Sequence, residues 1–207
     1  LSEVGYPSLH LVEAVRQLHI PHLWEANLSY ESKSDVLLVA GSIEYEETKA
    51  MLSLLASAFP VAEHFEIWLK GHPSLSIEEV LQDMGIDHRN AKYHIKAGRI
   101  EKKLCAVKVV LVPASTVAVE ALAYGCEVIV PFFSSSLPLS PLLGYEEVYH
   151  SVYKPNDLQD VMHAVLNISP SMTVEAKKDF VKNYWCLDPS FLRWEQLLQE
   201  KDEKSLR

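Results

Sequence analysis

Glycine is scarce in this chain. There are seven in 207 residues, and none fall in the Gly-x-Gly-x-x-Gly spacing that seats a dinucleotide pyrophosphate. A phosphate-loop lysine motif is missing, and so is the Gly-x-Ser-x-Gly elbow of a hydrolase, because Ser42, Ser115 and the 134–136 serine run stand in other frames. Bases are outnumbered, 19 Lys and Arg against 28 Asp and Glu, for a formal charge of −9. A nucleic-acid backbone needs a basic face, so no such partner is expected. A small phosphate ligand needs only a local cluster and stays open. The three cysteines, Cys105, Cys126 and Cys186, form neither a metal knuckle nor a disulfide framework. A reduced, cytoplasmic setting is expected, with Cys105 and Cys126 acting as small core residues. The longest apolar run, VKVVLVPA at 107–114, is far short of the roughly 20 residues of a membrane span, and no basic and apolar leader precedes it. No histidine pair has zinc spacing with a third ligand, so no metal site is expected.

What is present is an alternation of short aliphatic runs and helical patterns from Asp35 onward. DVLLVAGS (35–42) reads as a strand ending in a glycine turn, and EYEETKAMLSLLASAF (44–59) as a helix whose first-turn acids suit its dipole. FEIWLKG (65–71) and SIEEVLQDMG (76–85) repeat the unit, with Ser76 as N-cap, Glu79 completing a capping box and Gly85 as C-cap. KYHIKAG (92–98) is a weaker third strand, and RIEKKLCAV (99–107) a short helix. KVVLVPA (108–114), STVAVEALAYG (115–125) and EVIVP (127–131) give a fourth strand, a helix of small residues and a fifth strand. After the serine- and proline-rich loop at 132–145 come a sixth strand within 146–153 and helices over 155–167, 173–185 and 188–200. The predicted fold is α/β, a Rossmann-like doubly wound parallel sheet of about six strands with helices on both faces. Residues 1–34 read as a lead-in helix (8–20) and linker, 35–170 as the sheet domain and 171–207 as C-terminal helices and tail.

Ligands of such sheets sit beyond the carboxyl ends of the strands, where the strand order switches. The singular residues fall there: Gly41–Ser42, Lys70–Pro73, Ala97–Gly98 and Pro113–Thr116. Gly41 serves turn geometry or ligand clearance, and Ser42 caps the next helix or donates to a ligand. Lys70 and His72 can bracket a phosphate oxygen while Pro73 sets the turn, although a solvated turn would carry the same residues. Ser115 and Thr116 open a helix directly after a strand, and Glu120 lies one turn deeper, where a carboxylate accepts two ribose hydroxyls or stays solvated. The other histidines, His150 among them, lack such a setting and read as structural or surface residues.

FEIWLKGHP, followed by VLVPASTVAVEALAYGCEVIVP, resembles the C-terminal donor-binding half of a GT-B glycosyltransferase. The Lys-x-His-Pro form is similar to that of bacterial sialyltransferases, capsule Kdo-transferases and CDP-glycerol glycerophosphotransferases, which share a cytidine donor. The resemblance spans roughly residues 35–167. It implies that His72 contacts the donor phosphate and that Lys70 and Pro73 shape its loop. It places Ser115 and Thr116 by the phosphates, Glu120 on the ribose, Gly41 and Ser42 in the first donor loop and Gly98 near the base. It further implies a nucleotide-sugar donor, CMP-linked by preference, no tightly bound cofactor and a role in surface polysaccharide synthesis on the cytoplasmic side of the membrane. The acceptor saccharide and the catalytic base would come from an N-terminal domain for which 34 residues are too few, so this chain is expected to bind donor and to be incomplete for catalysis. A sugar-nucleotide 2-epimerase-like domain and a noncatalytic nucleotide-binding module are the alternatives.

Overall fold

Runs such as VLLVA, KVVL and EVIVP have few polar breaks, the composition of strands covered on both faces. In the structure, a computed structural model, six of them form one sheet; residues 30–61, 63–87, 93–134, 137–167 and 172–184 are described. The strands are β1 (Ser34–Ala40), β2 (Glu66–Lys70), β3 (Tyr93–Ile95), β4 (Val107–Leu111), β5 (Glu127–Pro131) and β6 (His150–Val152). They lie in the order β3-β2-β1-β4-β5-β6, every neighbouring pair parallel. The sheet starts at its centre with β1, builds outward to β3, then crosses back to β4 and builds the other way. The order therefore reverses between β1 and β4, the place at whose carboxyl ends doubly wound sheets bind their ligands.

The helices are α1 (Tyr45–Ala58), α2 (Ile77–Asp83), α3 (Glu101–Leu104), α4 (Val117–Ala123), α5 (Pro155–Asn167) and α6 (Val174–Tyr184). α1 packs on α2 and α5 over the sheet face that carries Leu37, Val39, Ile67, Leu69, Val109 and Leu111. α3 lies against β4 and α4 against β5, burying Leu104, Val119 and Leu122 on the opposite face. By contacts the chain divides into residues 28–178 and residues 1–27 with 179–207, and the sheet lies wholly within the first unit. The helices expected over 8–20 and 188–200, Lys92 of the third strand, and Cys186 fall outside the described residues. Among the described residues, no helix is long and apolar enough to cross a membrane.

Local chemistry sets the element ends. Ser76 Oγ accepts from the Glu79 amide at 3.2 Å, as an N-cap should. The hydroxyl then donates to Glu78 Oε2 at 3.1 Å, so Glu78, not Glu79, is its carboxylate partner. Gly85, at φ 70°, closes α2 with paired bonds from its own amide to Gln82 O and from Ile86 N to Leu81 O. At α5, Pro155 takes the first helical position, and Asp157 Oδ2 reaches back to the Tyr153 and Lys154 amides at 3.0 and 3.2 Å. Only 150–152 of the segment 146–153 is strand; residues Glu146–Val148 form a 3-10 turn.

Beneath the amino ends of β4, β5 and β6 lies a buried polar cluster. Glu127 and Lys177 are each 1 % exposed and form an ion pair, and Glu127 Oε2 also meets His150 Nε2 at 2.9 Å. Lys33 is buried with its Nζ donating to Leu104 O at 2.6 Å and Val107 O at 3.2 Å, where α3 ends and β4 begins. Cys126 is enclosed by the same groups, and burial pushes its thiol up. Cys105 stands exposed after α3 rather than in the core, because the helix stops at Leu104 and the chain turns there. At neutral pH a maleimide is expected to label Cys105 in the native chain and Cys126 only after unfolding. Mass mapping of the two peptides checks this, and native labelling of Cys126 would contradict the packing.

Candidate functional site

The turn after β2 explains its own sequence. Leu75 N donates to His72 O at 3.0 Å, so His72, Pro73, Ser74 and Leu75 form a β-turn with proline second, where its fixed φ is favoured. Gly71 has no positive φ but no space either. An added Cβ there would lie 2.9 Å from Leu75 O and 3.2 Å from Ile77 N, both backbone atoms. Gly71→Ala is therefore expected to shift the 71–77 loop and cost about 1–3 kcal/mol in urea unfolding. A change below about 0.5 kcal/mol would contradict that crowding.

The turn also sets the chemistry of His72. Its Nδ1 accepts from the Ser74 amide at 3.1 Å. The neutral ring then carries its proton on Nε2 and has no spare lone pair, which makes it a hydrogen-bond donor rather than a base. Lys70, the last residue of β2, turns its Nζ onto Gly71 O at 2.9 Å. An open pocket of about 420 Å³ lies here between the ends of β2 and β3, lined by Lys70 to Glu79 and by Ile95, Lys96 and Ala97.

Gly41 adjoins this turn directly. Its amide donates to Lys70 O at 2.8 Å, and an added Cβ would make only ordinary contacts, 3.5 Å from Gly71 Cα. Neither its φ nor crowding by the protein requires glycine at this position. Ser42 is buried: its Oγ accepts from the Glu44 amide at 3.1 Å, while its backbone exchanges two hydrogen bonds with Thr48 Oγ1. It thus stitches the entry of α1, whose own N-cap Glu44 makes no side-chain bond.

On the other side of β1, Ser115 and Thr116 precede α4. Ser115 Oγ accepts from Val117 N at 3.3 Å, and Thr116 is exposed with its carbonyl accepting from Val119 and Glu120. Glu120 is half-buried on α4, and its charge, with those of Glu101 and Arg99, acts on Tyr124. Burial first, then the charges of Cys105, Glu101 and Glu120, push the Tyr124 phenol well above its ordinary value, while Arg99 opposes them. Gly98 holds φ 82° and so needs glycine for its backbone.

The expected residues thus share one edge of the sheet without forming one cavity. Lys70, His72 and Pro73 line the pocket, whereas Gly98, Ser115, Thr116 and Glu120 do not. β2 and β4 flank β1, so their carboxyl ends stand two strand spacings apart, about 10 Å. A second, narrow crevice lies between the ends of β4 and β5 and the 137–140 loop, with Pro113, Phe132, Phe133 and Leu139 in its walls. Lys96 is a pocket residue that the motif reading passed over. Its signal is position alone, since it directly follows the third strand, beside the end of the second at Lys70. Among the described residues, no group of three or more His, Cys, Asp or Glu is placed to hold a metal ion.

No family model and no curated protein matches this sequence. Solved structures do. A GtfA/B complex aligns at TM-score 0.51 with 13% identity, covering 82% of this chain and 37% of that one. WaaG, a glycosyltransferase involved in lipopolysaccharide biosynthesis, aligns at 0.48 with 16% identity over 89% of this chain and 48% of that one. The wall teichoic acid polymerase TagF aligns at 0.46 with 14% identity over 99% of this chain and 51% of that one. At these identities the likeness concerns fold, and it rests on the first of the three. The chain is a Rossmann-like α/β domain of the kind that forms one half of a GT-B fold, and it spans about a third to a half of the length of these solved chains.

Proposed function

We propose that this chain carries the donor-binding half of a glycosyltransferase that takes its sugar from a nucleotide. The carrying observation is the shared edge: the Lys70–Pro73 turn, Gly41 and the Ser115–Thr116 segment all lie at carboxyl ends flanking the point where strand order reverses. Nucleotides bind at that place in doubly wound sheets. The span of about 10 Å from β2 to β4 suits a nucleoside phosphate laid across β1.

In this reading His72 donates its Nε2 proton to a phosphate oxygen. That bond strengthens as negative charge develops on the departing nucleotide, which is how a fixed donor favours the transition state over the ground state. The locked ring supports this role and argues against His72 as the base. Ser115 and Thr116 offer hydroxyls on the far side of β1, Glu120 accepts ribose hydroxyls, and Gly98 lets the chain pass close to the base. Gly41 keeps its surface clear for ligand, since nothing in the protein itself demands glycine there. The acceptor and the catalytic base belong to a second domain of the whole protein. The preference for cytidine, and for a CMP-linked sialic-acid- or Kdo-like sugar, rests on the Lys70-x-His72-Pro73 form.

Calorimetric titration with CMP, CDP and UDP tests the reading. A cytidine nucleotide is expected to bind best. No heat from any of the three at millimolar ligand would overturn the nucleotide assignment, and a clear preference for UDP would favour the epimerase-like alternative or a different transferase.

A further inference from the structure

At the carboxyl ends of β2 and β3 two lysines stand side by side. The ladder pairs Trp68 with His94 and Leu69 with Ile95, and Lys96 N donates to Leu69 O at 2.8 Å. One further step in that register sets Lys70 beside Lys96, on the face that carries Trp68. Neighbouring parallel strands run about 4.8 Å apart, so the two lysine side chains spring from adjacent backbone positions. Elsewhere in the fold Lys108 meets Asp35 at 2.6 Å, at the amino ends of β4 and β1, and Arg99 meets Glu101 at 2.9 Å. Among the described residues neither Lys70 nor Lys96 makes an ion pair. Lys70 Nζ rests on a carbonyl, and Lys96 Nζ lies 4.2 Å from the centroid of the Trp68 ring.

Both lysines line the same open pocket as His72. Its opposite wall carries the acids of the first turn of α2, Glu78 and Glu79. Those carboxylates repel an anion and so confine it to the strand ends. We propose that Lys70, Lys96 and His72 form an anion subsite for a doubly charged phosphate, with Lys96 leaving the Trp68 ring to meet it. The chemistry fits a diphosphate better than a phosphodiester: the ester bears one negative charge, whereas two ammonium groups and a fixed N–H donor match two or more. This deepens the nucleotide reading and moves its donor from a CMP-linked toward a diphosphate-linked compound.

The test is titration of the 207-residue chain with inorganic pyrophosphate, CMP and CDP, in the parent and in Lys96→Met and Lys96→Arg. Loss of one charge-assisted contact is expected to weaken pyrophosphate and CDP binding about tenfold or more in Lys96→Met. Lys96→Arg stays close to the parent, and an unchanged melting temperature shows that Lys96→Met is folded. Equal pyrophosphate affinity in parent and Lys96→Met overturns the subsite, as does a parent that binds none at millimolar concentration. The two readings fail separately. Pyrophosphate held through Lys96 with no added affinity for any nucleotide sinks the nucleotide assignment alone. Nucleotide binding indifferent to Lys96→Met sinks the subsite alone.

Discussion

Lys177→Met is expected to cost the folded chain about 3–5 kcal/mol, a large part of the stability of an ordinary domain. Lys177 and Glu127, the first residue of β5, are each 1 % exposed and form an ion pair. Removing the ammonium leaves the carboxylate in a low-dielectric site without its buried counter-charge, with His150 Nε2 at 2.9 Å. The stranded charge, more than the lost attraction, sets the size of the effect. Neutralising both groups, in Lys177→Met with Glu127→Gln, is accordingly expected to recover most of the loss. Urea unfolding of the two variants checks both statements. A single variant within about 1 kcal/mol of the parent would mean that water reaches the pair and screens it.

His72→Ala is expected to weaken nucleotide binding about ten- to a hundredfold, the range for losing one hydrogen bond to a charged group. The reasoning depends on which ring nitrogen is available. Nδ1 is taken by the Ser74 amide, so Nε2–H faces outward. Glutamine places an N–H donor near the Nε2 position and asparagine does not reach it, so His72→Gln should retain more affinity than His72→Asn. Circular dichroism and melting temperature separate this from damage to the turn, which Gly71 and Pro73 hold. Equal loss in all three variants would point to a structural role for the ring. No loss in any would remove His72 from the site.

Much of the sheet was legible because parallel strands buried on both faces have little choice of composition. EVIVP gave β5 to the residue, and the Pro155 start with a Leu158, Met162 and Val165 stripe gave α5. The weaker expectations trace to weaker physics. β3 is a three-residue edge strand, so KYHIKAG lacked the aliphatic run of its neighbours. α3 keeps only Glu101–Leu104, where Lys33, distant in sequence, donates to the carbonyls that end it. A buried Lys177–Glu127 pair joins residues 50 apart, and no local pattern announces it. At the candidate site, residue type and turn grammar identified Lys70, His72 and Pro73, which the pocket gathers. Lys96 was hidden because its meaning comes from register, which one step past the end of β3 sets it beside Lys70. Glu120 and Gly98 were legible as positions at the right edge, and their roles remain proposals.

The most direct test of the nucleotide site follows backbone amide resonances while CDP is titrated into the chain. The account predicts shifts concentrated in the Gly71–Ser76 turn, at Gly41, around Lys96–Gly98 and at Ser115–Thr116, with the cluster near Glu127 and His150 unmoved. Shifts confined to the amino ends of the strands, or none at millimolar CDP, would contradict it.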